Sequence, residues 1–428
     1  MPTRKKTIEI VNHSVPGKVI GRFAVKDIPT VSLTPSTLMD PKLRTIAVVT
    51  AGRADYAICL PVLRRIEADP ELKLHLIVSG MHLSPEFGLT VNSIVADGFE
   101  VADRVEMLLS SDTPEGIGKS MGLGITAFAQ LYARLRADIL VVLADRFEMH
   151  AAALAALPFK IPVAHIEGGD LTEGAIDDAL RHSITKLSHL HFVSTEEYAN
   201  RVVQLGEEPW RVIVSGAPSL DNLKSLKLLT AAELERTYGM LPQQPPLLVT
   251  YHPVTLEYEN TGQQIYELLE ALKTFEMPII FTQPNADTYG RVIMRAISEF
   301  VGNQPSARLI NNLGTQDYLS MMSYAGVMVG NSSSGIIEAP SFKLPVVNIG
   351  TRQRGRVRAA NVIDVGYSRE EITYGINKAL QPAFRNSLSN LVNPYGTGDA
   401  AEKIVERLKT VVLTDERILS KKFHNITY

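Results

Sequence analysis

DILVVLADRFEMHAAALAALPFKIPVAHIEGGDLTEGAIDDALR, Asp138–Arg181, holds two apolar runs, Ile139–Leu143 and Ile161–Ile166, on either side of an Ala-rich segment with helix-forming composition. Strand, helix and strand in that order make a βαβ unit, whose crossover joins parallel strands. Each run leads into an acid, Asp145 and Glu167, and an acidic pair, Asp177-Asp178, opens the next helical stretch. In an open parallel sheet, ligands bind in the crevice beyond the carboxyl ends of the strands. Acids from successive strands therefore converge there. Three convergent carboxylates without Cys-rich metal spacing suit proton transfer. Any one of them could equally cap a helix or neutralise an arginine; the three together favour chemistry.

The same alternation extends in both directions. TIAVVT, KLHLIVSG, EVADRVEML and HLHFVST read as further strands, and ICLPVLRRIEADP, SPEFGLTVNSIVADG, GITAFAQLYARLRA and DDALRHSITKLS as helices. Beyond a Pro/Gln-rich hinge, LPQQPP, a second series follows: LLVTY, PIIFTQ, ARLINN, GVMVG, PVVNIG and NVIDVG, with helices between them. The class is α/β, with two Rossmann-like domains. Expected boundaries are an N-terminal extension over 1–43, a first domain with the carboxylates over 44–215, and a second, nucleotide-binding domain over 216–395. Residues 396–428 complete the chain with the amphipathic helix AAEKIVERLKTVVL and a tail. In the extension, TIEIVN and GKVIGRF could pair as a hairpin; no chemistry is assigned to it.

Composition narrows the function. A net charge of −3 argues against a nucleic-acid partner while leaving local basic sites for a small anion. No apolar stretch is long enough to span a bilayer, and the basic start MPTRKK lacks the apolar region of a signal peptide, so a soluble cytoplasmic protein is expected. The single cysteine, Cys59, excludes an intrachain disulfide and lies in an apolar helical stretch, as a buried structural thiol would. The histidines show no metal-binding spacing, so neither a metal nor a cofactor is expected.

Several loops could hold a nucleotide. In AGRADY, Gly52 permits a tight turn and Arg53 offers a fork of donors for phosphate; the loop is not G-x-G-x-x-G, so a nicotinamide dinucleotide is not indicated. NSSSGIIEA, Asn331–Ala339, follows a buried run and is expected to begin a helix, presenting Ser332, Ser333 and backbone N–H groups to an anion. Glu338 would sit about two turns into that helix, within reach of ribose hydroxyls. GTRQRGR, Gly350–Arg356, brings Arg352 to the same crevice. His252 in YHPV and Asn285 in PNAD fall just beyond the first two strands of the second domain.

Taken in order, GRADY, LADRFE, HIEGGDLTEGAIDDALRH, YHPVT, QPNAD, GNSSSGIIEA and GTRQRGR resemble the hydrolysing UDP-N-acetylglucosamine 2-epimerases of sialic- and legionaminic-acid biosynthesis. The match runs from about Thr45 to about Leu413. The resemblance implies a glycosyltransferase-B type fold, with two Rossmann-like domains facing a cleft, a C-terminal helix crossing back to the first domain, and a homodimer or homotetramer. It carries UDP contacts onto Arg53, Arg146, His252, Asn285, Leu313, Ser332, Ser333, Glu338 and Arg352. Asp145, Glu167 and Asp177 fall on its catalytic carboxylates, with Arg181 close by. The chain departs from the family at Ala57, where the animal enzyme has a serine. A slightly longer loop after Glu167 leaves the pairing of Asp177 or Asp178 open.

The implied reaction expels UDP from C1 as the C2 proton is removed, then adds water across the resulting 2-acetamidoglucal. Three rivals use the same scaffold: a non-hydrolysing epimerase that re-adds UDP, a glycosyltransferase needing an acceptor, and a nucleotide-sugar-binding protein without turnover. No membrane or nucleic-acid partner is expected.

Overall fold

The computed structural model describes residues 7–11, 19–24, 43–111, 113–239, 244–284, 289–310 and 313–426. The described residues before 43 belong to a unit separate from the rest of the chain. Within it, β1 (Thr7–Val11) and β2 (Val19–Ala24) pair antiparallel, with Thr7 opposite Ala24 and an irregularity between Ile10 and Val11.

The rest of the chain builds two parallel sheets. The first contains β3 (Arg44–Thr50), β4 (Leu72–Ser79), β5 (Val101–Val105), β6 (Ile139–Leu143), β7 (Val163–Ile166), β8 (Leu190–Val193) and β9 (Val212–Val214), in the order β5-β4-β3-β6-β7-β8-β9. The second contains β10 (Leu247–Thr250), β11 (Ile279–Thr282), β12 (Ala307–Ile310), β13 (Val327–Gly330), β14 (Val346–Ile349) and β15 (Val362–Val365), in the order β12-β11-β10-β13-β14-β15. The central strands are buried along their whole length, as parallel strands with helices on both faces must be, and this is why they read as unbroken apolar runs. Strand order reverses between β3 and β6 and again between β10 and β13. Those two switch points aim their loops at the crevice where ligands bind.

The expected single helix over SPEFGLTVNSIVADG is instead a short turn, Pro85–Phe87, and a separate helix, Val91–Ala96. Gly88 and Leu89 break it, both with positive φ, 83° and 46°. Helix Arg53–Ala68 survives an internal proline for a specific reason. Pro61 has no N–H to give to the carbonyl of Ala57 one turn earlier, and Asn222 Nδ2 donates to that carbonyl instead, at 2.7 Å. Asn222→Ala would strand a buried carbonyl, at a cost of about 1–3 kcal/mol. Thermal unfolding should register that loss, and an unchanged midpoint would refute the substitution of one donor for the other.

The closing helix, Ala400–Thr410, packs into the core of the first sheet. Ile404, Val405 and Leu408 lie among Ile46, Leu63 and Ile66. Its first turn is capped by Asp221, whose carboxylate accepts from the N–H groups of Ala400 and Ala401 at 3.1 and 2.8 Å. Beyond it, the buried Arg211 guanidinium donates to the carbonyls of Arg417 and Ile418. No helix among the described residues is long and apolar enough to cross a membrane.

Candidate active site

Asp145 and Glu167 sit just beyond adjacent strands, and both follow or adopt a backbone shape that non-glycine residues avoid. Ala144 has φ 54° and Glu167 φ 62°. Such conformations cost of the order of 1–3 kcal/mol each and persist only where surrounding contacts impose them. The neighbouring strands do so: Ala144 N–H donates to Ile166 O and Glu167 N–H to Phe192 O, each at 2.8 Å. Asp145 is thereby brought to helix Asp177–Leu187, and Glu167 lies near Asp170 and Arg356. Arg181 of that helix, fully buried, donates to Asp145. That contact joins the helix to the acid at the end of β6.

The acidic pair divides its work. Asp178 Oδ1 accepts from Thr172 N–H at 2.6 Å, and its other oxygen lies 3.5 Å from His182 Nε2. Burial opposes its ionisation, but those two donors hold it below the ordinary carboxylate range. Asp177 lines a pocket with Ile117, Arg146, Phe147, Ile176, Leu180 and Thr255. Asp178 is not among the residues that line this pocket.

Glu167 is buried, and its Oε1 has no hydrogen-bond donor among the described residues. Burial, then the charge of Asp170 nearby, push its carboxyl up to about 8, against the pull of Arg356. Asp170, equally buried, rises less because Arg356 Nη1 stands 3.4 Å from its Oδ2. Of two neighbouring acids, Glu167 keeps the proton and Asp170 shares an ion pair.

The second half of the chain closes over this ground. Thr255 Oγ1 accepts from Ile176 N–H at 3.0 Å, and Arg356 Nε donates to Leu171 O at 3.1 Å. Gly174 lies so close to the 350–356 loop that a Cβ there would stand 2.7 Å from Thr351 Oγ1. Two buried tyrosines fasten the same loop: Tyr198 OH accepts from Val357 N–H at 3.0 Å, Tyr395 OH donates to Val357 O at 2.9 Å, and the two hydroxyls are 2.7 Å apart. Arg352 is buried beside Arg181, whose charge it opposes.

Of the loops expected to hold a nucleotide, the one carrying Arg53 reaches the second half of the chain. Asp55 shapes the loop that carries Arg53 by accepting from Ala51 N–H at 2.6 Å, and Arg53 Nη2 donates to Gln283 of the second half at 3.3 Å. Glu148, wholly buried, holds the Arg146 guanidinium with its Oε2 3.3 Å from Nε. At the second switch point, the Asn331 side chain accepts from His252 N–H at 2.7 Å and donates to His252 O at 2.8 Å. Ser332 shares a hydroxyl chain with Ser334 and Tyr318, while Ser333 stands half-buried at the start of the following turn, and Leu313 is half-buried after β12. Asn285 lies outside the described residues.

One expectation needs correction. NSSSG does not open a long helix: Ser334–Ile337 is a single turn, and Glu338 stands at its end. Pro340 lacks the N–H a continuing helix needs, and the chain passes into a 3-10 turn, Ala339–Phe342. A four-residue turn offers little macrodipole, so what this loop presents is the hydroxyls of Ser332, Ser333 and Ser334. Glu338 is nonetheless buried, and burial pushes its carboxyl up to about 7 against its own N–H and Arg356. Asp170, Arg356, Glu148 and the Tyr198–Tyr395 pair were not singled out in the sequence, although Glu148, Asp170 and Arg356 each stand inside one of its motifs.

The family of UDP-N-acetylglucosamine 2-epimerases matches residues 64–409. A hydrolysing GDP/UDP-N,N'-diacetylbacillosamine 2-epimerase of Campylobacter jejuni is 43% identical over 323 residues, covering 75% of this chain and 84% of its own. A hydrolysing UDP-N,N'-diacetylbacillosamine 2-epimerase of Legionella pneumophila is 37% identical over 380 residues, 89% of this chain and 99% of its own. Among solved structures, the UDP-GlcNAc 2-epimerase of Neisseria meningitidis bound to UDP-GlcNAc superposes with a TM-score of 0.73 at 22% identity, over 85% of this chain and 99% of that one. The fold is thus of the glycosyltransferase-B type expected from the sequence. Two parallel α/β domains, a cleft of acids facing arginines and a family match over most of the chain give one conclusion: the chain belongs to the UDP-N-acetylglucosamine 2-epimerase family.

Proposed function

We propose that the protein hydrolyses a nucleoside-diphosphate 2-acetamido sugar with inversion at C2, releasing an N-acetylmannosamine-type sugar and UDP. The observation that carries this reading is a buried acid, Glu167, whose carboxyl burial and Asp170 push up to about 8, beside ion-paired Asp145 and pocket-lining Asp177, with buried Arg352 and Arg356 in the second half of the chain. Asp145 or Asp177 takes the C2 proton, the C2–H electron pair becomes the C1–C2 double bond, and the C1–O bond breaks with its electrons going to the diphosphate. Arginines at the cleft stabilise the leaving charge. Water then adds its oxygen to C1 while Glu167 delivers a proton to the opposite face of C2 and is reprotonated from that water. The proton first abstracted passes to solvent.

The sugar itself is proposed as a 2,4-diacetamido-2,4,6-trideoxy type. Two relatives carry names for that substrate. In this chain, Ile117, Phe147, Ile176 and Leu180 form the apolar side of a small pocket that Asp177, Arg146 and Thr255 also line. Apolar walls suit a methyl at C6 or on an acetamido group and leave hydroxyls unpaired. By resemblance, the product feeds sialic- or legionaminic-acid synthesis, and the working unit is a cytoplasmic homodimer or homotetramer.

NMR in deuterated water tests this directly, with UDP-N-acetylglucosamine and UDP-N,N'-diacetylbacillosamine side by side. Free sugar deuterated at C2 should appear in step with UDP, faster from the diacetamido substrate. An epimerised sugar still attached to UDP would establish the non-hydrolysing reaction instead, and faster turnover of UDP-N-acetylglucosamine would overturn the choice of sugar alone.

A further inference from the structure

His165 lies in β7, two residues before Glu167, and is wholly buried. Its Nε2 is 2.7 Å from Ala144 O and its Nδ1 is 3.2 Å from Thr185 Oγ1. A carbonyl only accepts, so Nε2 carries the hydrogen, and Nδ1 is left to accept from the Thr185 hydroxyl. Burial holds the ring neutral, which preserves this one tautomer.

Each bond leads to an acid. Ala144 is the left-handed residue immediately before Asp145, and its carbonyl orientation is held by the imidazole. Thr185 lies on helix Asp177–Leu187, which supplies both Asp177 and the Arg181 partner of Asp145. Gly168, just after Glu167, packs so tightly on the ring that an added Cβ would stand 3.0 Å from His165 Nδ1. One imidazole therefore touches all three acid-bearing segments.

We propose that His165 is a positioning residue that fixes the mutual geometry of Asp145, Glu167 and Asp177 without touching substrate. This rests on the epimerase reading, so C2 deuteration and UDP release by the wild type are measured first, and their absence would sink that reading and not the positioning role. Misplacing reacting groups by about 1 Å costs roughly 100-fold in rate. His165→Phe, which keeps the ring and loses both bonds, should lower kcat by about that factor while UDP affinity stays within about twofold. His165→Gln can return a donor to Ala144 O and should recover at least about a tenth of wild-type kcat. His165→Asn is too short to reach that carbonyl and should not. Thr185→Val, which cuts the link to the helix alone, should lower kcat with UDP affinity and melting temperature unchanged, and it keeps the question answerable if His165→Phe does not fold. Equal kcat for the Phe and Gln variants, a parallel loss of kcat and UDP affinity, or wild-type turnover in Thr185→Val would each overturn the proposal.

Discussion

Glu167→Gln lowers turnover by roughly 10²–10⁴-fold, the range of a lost general acid or base, while UDP still binds and the protein becomes more stable at alkaline pH. The two halves of that expectation share one cause. Glu167 is buried beside Asp170, and both effects favour its neutral form, so its folded-state carboxyl titrates near 8 rather than the ordinary 4.5. A group whose folded value is raised contributes stability fully present below about pH 4.5 and lost as pH rises through about 8. The amide matches the protonated acid in shape and cannot ionise, so it removes that loss. Thermal melts of wild type and variant should converge near pH 5 and separate toward pH 9, with the variant higher. Turnover by the wild type should fall over the same alkaline limb, as the proton donor is consumed.

Asp145→Asn gives the contrasting case. It also suppresses turnover, but it strands the buried Arg181 guanidinium, and breaking a buried pair costs about 3–5 kcal/mol. An inactive but stabilised Glu167 variant beside an inactive and destabilised Asp145 variant would separate the two carboxylates by protonation state. If both variants lost stability together at high pH, Glu167 would not be the protonated acid.

The strands that frame this site were legible because parallel strands covered on both faces are written as continuous apolar runs. The acids stood out only as a set, since one carboxylate at the end of such a run can serve an arginine alone, as Asp145 serves Arg181. What remained hidden depends on how distant segments approach. Nothing near Arg356 in the chain announces Asp170 as its partner, and the Tyr198 and Tyr395 hydroxyls that fasten the loop between them stand 197 residues apart in sequence. The left-handed turns at Ala144 and Glu167 had no sequence signal either, since alanine and glutamate do not favour positive φ. The short turn after NSSSG did have one: Pro340, whose missing N–H limits any helix begun at Ser334.

Gly330→Ala should be the most damaging single-methyl change in the second half. Gly330 ends β13 with φ 137°, and a Cβ built there would stand 1.9 Å from Thr250 O and 2.7 Å from Thr250 C. Both contacts are with the backbone of β10, the strand paired to β13, so no side chain can swing aside. The cost must exceed the ~1–3 kcal/mol usual for overpacking. The closeness has a purpose: it lets Asn331 N–H donate to Thr250 O at 3.1 Å and brings the Asn331 amide onto both polar groups of the His252 backbone. The methyl group therefore strikes the strand pair and the Asn331–His252 contact at one point. Hydrogen exchange should show β10 and β13 losing protection together, with UDP binding lost at the temperature where they open. Gly122→Ala is the matched control. It adds the same methyl inside helix Pro114–Tyr132, where a Cβ would meet nothing within 4 Å. There the change should stabilise by about 0.5–1 kcal/mol, because a glycine within a helix carries an entropic cost. Opposite signs from one chemical change are expected because residue 330 combines a positive φ with backbone contact, neither of which Gly122 has; equal effects would refute it.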